Sequence, residues 1–163
     1  MNKQDVVAVV LGGPSSEAEV SRRTGGAIAE ALREKGYNAV EVELVPEKLV
    51  EQLREIDTKV VFNAVHGMYG EDGRLQSILE AIKMPYTGSG VLASAVAMDK
   101  VATKRFLISA NISTPECLMY NKRFDNDMAK IEKEIIATFG VPVVIKAADQ
   151  GSSIGVEIVK AEA

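Results

Sequence analysis

The run Val6 to Leu11 constrains this chain most. It is continuous, apolar and largely β-branched, as a strand covered on both faces would be, and it stops in the turn Gly12-Gly13-Pro14. A helix is expected next. Val20, Thr24, Ala27, Ile28, Ala31 and Leu32 fall on one helical stripe and Gly36 supplies the stop, so the helix runs from about Glu17 to Lys35. The pattern then repeats, with a strand at Asn38 to Leu44, a short amphipathic helix marked by Leu49, Leu53 and Ile56, and a strand at Lys59 to Val65. A helix with Leu75, Ile78, Leu79 and Ile82 leads to Pro85-Tyr86. Strand and helix in alternation predict an α/β fold, a doubly wound parallel sheet whose ligands bind outside the carboxyl ends of the strands.

The pattern changes near Ala97-Met98-Asp99. A helix carrying Val101, Phe106 and Leu107 leads to Asn111, then a strand is expected around Thr114 to Tyr120, a helix from about Asp125 to Thr138, and a strand at Val141 to Lys146. The loop Gly151-Ser152-Ser153-Ile154-Gly155 and a strand at Val156 to Val159 follow. Two domains are therefore expected, 1–97 and 98–163. The second, a hairpin with one or two helices, buries little apolar area alone and reads as truncated.

Composition narrows the function. Of 163 residues, 47% are hydrophobic and 26% charged, an ordinary globular balance. A formal charge of −4 and the lack of a basic stripe argue against nucleic acid and anionic lipid as partners, which leaves small-molecule chemistry. Cys117 is the only cysteine and His66 the only histidine, so neither a disulfide nor an ordinary zinc site is expected. The apolar run at Val6 is too short for a signal peptide or membrane span, which points to the cytoplasm.

Three loops carry the candidate chemistry. The first, Leu11 to Glu19, lacks the G-x-G-x-x-G spacing, and Glu17 and Glu19 place carboxylates where a pyrophosphate would need the helix amides. Ser16 with Glu19 fits a capping box. Glu17 has two readings, a partner for a substrate ammonium or a complement to the helix dipole. The second loop, Asn63 to Gly73, holds His66, a donor to an anionic substrate or a structural hydrogen-bonding group, while Glu71 and Asp72 fit helix-end electrostatics. In the third, Lys146 ends a buried strand before the glycine loop. Glycines allow close approach, serines hold phosphate oxygens and a lysine supplies the charge that phosphoryl transfer requires. It is no P-loop, because the lysine precedes the glycines, and an ordinary hairpin is the competing reading.

These loops, together with Pro85-Tyr86-Thr87-Gly88-Ser89-Gly90 and Ser94-Ala95-Val96-Ala97-Met98-Asp99-Lys100, stand in the order and spacing of the D-alanine:D-alanine ligase family. The resemblance runs from Val9 to Val159. It implies a Rossmann-like pre-ATP-grasp domain followed by an incomplete ATP-grasp lobe, in which ATP and magnesium convert one D-alanine to an acyl phosphate that a second D-alanine attacks. Carried over by position, Glu17 would hold the first ammonium, Val20, His66 and Gly67 would line that substrate, and Lys100 and Lys146 would contact ATP phosphates. Ser152, a catalytic residue together with Glu17, would position substrate under the glycine loop, and Ser152 and Ser153 would bind the nucleotide. The resemblance also implies that the magnesium ligands lie outside this chain, and that homodimers form through the first domain, for which the helix face Leu75 to Ile82 is the candidate. Ala147 departs from the family's usual proline after the lysine. A non-catalytic binding or dimerisation module, and an ATP-grasp ligase for other carboxylates and amines, are the alternatives.

Overall fold

The computed structural model describes residues 2–161, which fall into two compact units, Met1–Met98 and Asp99–Ala163. In the first, β1 (Val6–Leu11) is the middle of a three-stranded parallel sheet, with β2 (Asn38–Glu43) on one side and β3 (Thr58–Asn63) on the other. The continuous apolar run is thus an inner strand with helices on both faces. Ala8 and Val10 point to a cluster with Leu49 and Leu53 of α2 (Leu49–Glu55) and Leu75 and Leu79 of α3 (Arg74–Ala81). Val9 and Leu11 point the other way, to Ala29, Ile28 and Leu32 of α1 (Ala18–Glu34). Beyond β3, Val61 exchanges bonds with Pro85 and Thr87 (2.8 and 3.0 Å), a short parallel bridge that starts the Pro85 to Gly90 segment. There the Tyr86 hydroxyl donates to Glu80 at 2.7 Å, a bond that pushes the phenol pKa up to about 12.

The α1 stripe is rotated from the expected one. Its buried residues are Ser21, Gly25 and Ala29, whereas Val20, Ala27 and Ala31 are exposed. The reason is closeness of approach: a Cβ on Gly25 would stand 2.6 Å from the Leu11 Cβ, so only small residues fit between α1 and β1. The Leu75 to Ile82 face is also unavailable for self-association, since Leu75 and Leu79 are fully buried against the sheet. A helix absent from the expectation, α4 (Val91–Met98), follows; its Leu92 is exposed.

In the second unit, α5 (Lys100–Ser109) is capped by Asp99, whose Oδ1 accepts from the Val101 and Ala102 amides. No strand forms at Thr114 to Tyr120. That segment has no ladder partner among the described residues; Pro115 lacks a donor, and Lys104 Nζ bonds Thr114 Oγ1 and the Pro115 carbonyl instead. Helix α6 (Met128–Phe139) starts later than expected because Asp125 is spent on the Asn121 amide and Asp127 makes the cap to Lys130 N. β4 (Val143–Lys146) and β5 (Val156–Val159) form an antiparallel hairpin. Among the described residues no helix is long and apolar enough to cross a membrane.

Candidate functional site

In the first unit the loops after β1 and β3 meet at the carboxyl edge of the sheet. Gly12 and Gly13 turn the chain out of β1 with φ of 71° and 85°, and Leu44 N, just past β2, bonds Leu11 O at 2.9 Å. Glu43 fills the space that a side chain at Gly12 would need, accepts from Gly13 N at 3.2 Å and is gripped by Arg22 (Nη2 to Oε1, 2.6 Å). That grip holds the Glu43 carboxyl below the usual glutamate range.

The capping box at Ser16 does not form. Ser15 Oγ accepts from Glu17 N at 3.1 Å, one residue earlier, so Glu17 itself becomes the residue before α1 and no side chain caps that helix. Glu19 is exposed. The Glu17 carboxylate is left uncommitted to the helix and lies against Gly67, where an added Cβ would meet Glu17 Oε2 at 2.7 Å and Ser15 Oγ at 2.8 Å. With φ of 69°, Gly67 also adopts a backbone that other residues rarely take. Thus Glu17 and Gly67 are brought together, with His66 next to them in the chain and Val20 half-exposed on the first turn of α1.

His66 is flanked on both nitrogens. Nε2 lies 3.2 Å from Thr24 Oγ1, and Nδ1 lies 3.9 Å from Glu71 Oε1, an ion pair only when the ring is protonated. Glu71 does not serve α3; its other oxygen accepts from Gly67 N at 2.9 Å and so closes the loop on itself. Asp72 is the residue at the helix end, accepting from Tyr69 N and Arg74 N. Thr24, Ser15 and Ser21 were not among the expected site residues. Ser21 and Thr24 lie one and two turns along α1 from Glu17, and that spacing is the signal that would have found them.

The second unit gathers the other candidates. Lys146 ends β4 exposed, without a partner among the described residues. Lys100, at the start of α5, donates through Nζ to Gln150 O at 2.6 Å, while its amide bonds Ala148 O at 2.9 Å, so this lysine is fixed to the glycine loop. Ala147 packs beneath Gly155, where a Cβ would be 2.8 Å from its own, and Ala147 N bonds Gly155 O at 2.8 Å. Ser152 has φ of 52°, the left-handed form from which anion-holding backbone nests are built. The amides of Ser152 and Ser153 meet no acceptor among the described residues. Free amides on this loop, with Lys100 fixed to it and Lys146 at the end of the strand that leads into it, fit a phosphate group.

Residues 41–89 match the family model for the D-ala D-ala ligase N-terminus, and residues 106–163 match that for the D-ala D-ala ligase C-terminus. The D-alanine–D-alanine ligase of Moorella thermoacetica is 46% identical over 157 residues, 96% of this chain and 50% of that protein. That of Carboxydothermus hydrogenoformans is 45% identical over 153 residues, 94% of this chain and 49% of that protein. Among solved structures, the Bacillus anthracis D-alanine–D-alanine ligase superposes with a TM-score of 0.81 at 35% identity, covering 97% of this chain and 50% of that one. The same enzyme complexed with ATP gives 0.80 at 33%, covering 97% and 51%. The VanG D-Ala:D-Ser ligase of Enterococcus faecalis gives 0.74 at 26%, covering 98% and 56%. Sheet, loops and matches together define an α/β chain of the ATP-grasp ligase class. Within that class it belongs to the D-alanine–D-alanine ligase family, and it spans about half the length of the curated relatives it matches.

Proposed function

We propose that this chain is part of an ATP-dependent ligase that joins two D-alanines into the dipeptide used for peptidoglycan, in the cytoplasm. The observation that carries the reading is the Glu17 carboxylate, held free of its helix and set against Gly67 beside His66. A carboxylate so placed pairs with the ammonium of a small amino acid, whose own carboxylate then faces the His66 end of the loop. Val20 and Gly67 bound that substrate. The γ-phosphoryl group of ATP passes to a carboxylate oxygen of the first D-alanine and ADP leaves; the amine of the second then attacks the acyl carbon and phosphate departs. Lys100, Lys146 and the amides of Ser152 and Ser153 supply the positive field for the phosphates, and the Ser152 hydroxyl orients substrate beneath the loop. The division of labour, with 1–97 as substrate domain and 98–163 as the start of the ATP-grasp domain, belongs to the same proposal.

Magnesium neutralises phosphate charge in such chemistry. The described residues contain no cluster of three or more metal-ligating side chains; that the magnesium ligands lie outside this chain belongs to the same proposal. Because the chain spans half the length of its relatives, the proposal for the chain itself is binding of the first substrate without turnover. Self-association through the first domain belongs to the same proposal, without the α3 face, which is buried.

The test is D-alanine binding by NMR titration, with L-alanine and D-serine alongside, and ADP release with magnesium ATP. Saturable D-alanine binding is expected, and Glu17→Gln weakens it by about tenfold or more, the loss of a charge-assisted hydrogen bond. Binding unaffected by Glu17→Gln sinks the assignment of Glu17, and D-alanine-dependent ADP release by the chain sinks the claim that it binds without turnover.

A further inference from the structure

Ser21 is fully buried in α1, and its hydroxyl serves nothing in that helix. A serine inside a helix ordinarily returns its hydroxyl to its own preceding turn. Here Oγ accepts from the Gly12 amide at 2.8 Å and donates to the Ala64 carbonyl at 2.7 Å. Its backbone amide meanwhile bonds the Glu17 carbonyl at 3.0 Å. Two segments therefore meet on this one side chain, the turn leaving β1 and the residue just past β3 that stands two before His66, while the backbone amide ties Ser21 to the residue carrying the candidate ammonium-binding carboxylate. Gly12 and Ala64 are buried, so neither group has water to fall back on.

We propose that Ser21 is a positioning residue that fixes the Glu17 loop against the His66-Gly67 loop and so sets the width of the first-substrate site; this rests on the functional reading above. The tolerance is narrow, because Glu17 Oε2 and Ser15 Oγ already lie within 2.8 Å of where a Gly67 Cβ would be. Removing the hydroxyl strands a buried donor and a buried acceptor on two different loops, which then separate to find water. Glu17 and His66 both keep their chemistry but lose their spacing.

The experiment uses the full chain with Ser21→Ala and the near-isosteric Ser21→Cys, whose thiol is a weaker partner. Amide hydrogen exchange is read at Gly12 and along β1–β3, and the imidazole signals of His66, the single histidine, are read directly. Ser21→Ala is expected to speed exchange at Gly12 by about tenfold or more, shift the His66 ring signals, and weaken D-alanine binding by a similar factor. Exchange in the middle of β1 stays as in the parent. Ser21→Cys falls between the two, and carries the test if Ser21→Ala does not fold. Unchanged Gly12 exchange and unmoved His66 signals in a folded variant overturn the proposal, as does a rise in exchange spread evenly over all three strands. If the parent chain binds no D-alanine while both signals still respond to Ser21→Ala, the loop pin stands and the functional reading fails.

Discussion

The two units carry comparable loops on unlike foundations. Every fully buried apolar side chain among the described residues lies between Val7 and Leu79, in the first unit. The second has helices and a hairpin but, among its described residues, no buried side chain; Phe106, Ile108, Phe124, Met128, Ile145 and Ile158 are all exposed. One pair of strands with two helices has too little surface to cover such residues. The contrast extends to the sites. Glu17 and His66 are placed by packed strands and by hydrogen bonds within the core, whereas Lys100, Lys146 and the glycine loop are placed by backbone bonds at the surface. Rigid placement of side chains is what orienting a small ligand requires.

The largest expected effect tests the foundations directly. Leu53 is fully buried beneath the sheet, and Leu53→Ala is expected to cost about 2–5 kcal/mol, through lost burial and the cavity left behind. Ile158 is 62% exposed on β5, and Ile158→Ala is expected to cost less than about 1 kcal/mol. Denaturant unfolding of both variants gives the comparison, and equal losses would break it.

A smaller pair of substitutions sharpens it within one helix. Gly25 faces Leu11 with no room for a methyl group, so Gly25→Ala is expected to destabilise by about 1–3 kcal/mol. Its neighbour Gly26 has nothing within 4 Å, and Gly26→Ala is expected to stabilise by about 0.5–1 kcal/mol through helix propensity. Opposite shifts in thermal midpoint are the expected result. Shifts of the same sign would mean that α1 does not sit as closely on β1 as described.

Those glycines also show where the sequence was legible. Large apolar residues announced β1, α2 and α3, because their burial follows the plain periods of strand and helix. The close face of α1 did not, since Ser21, Gly25 and Ala29 carry no hydrophobic signal and declare themselves only through the spacing of small residues. The expected strand at Thr114 to Tyr120 failed for another reason: local preference creates no strand without a neighbour to pair with. At the site, Glu17, His66, Lys146 and the glycine loop were legible as candidate chemistry at the ends of strands, whereas Lys100 entered only through the family resemblance. Thr24, Ser21 and the turn of Glu71 back to Gly67 were not, because each depends on a partner far away in sequence or on a loop's own closure.

The smallest effect concerns charge. Among the described residues every ion pair lies in the first unit, and Arg22 with Glu43 is the one that braces the glycine turn. The bond from Arg22 is the main cause holding the Glu43 pKa down in the folded chain, below the ~4.3 of a free glutamate. A group depressed in this way contributes stability above its unfolded pKa and loses it as pH falls through the folded value, so acid weakens this brace while Arg22 stays charged. Both side chains are about half-exposed, so solvent screens the pair and its contribution is small. Unfolding midpoints measured at neutral and at about pH 3 should therefore differ less in Glu43→Gln than in the parent chain, with the change confined to first-unit probes such as the Gly13 amide. An acid response that is identical in parent and variant, or that appears equally in the β4–β5 hairpin, would show that the brace is idle and that the electrostatic half of the contrast between the units does not hold.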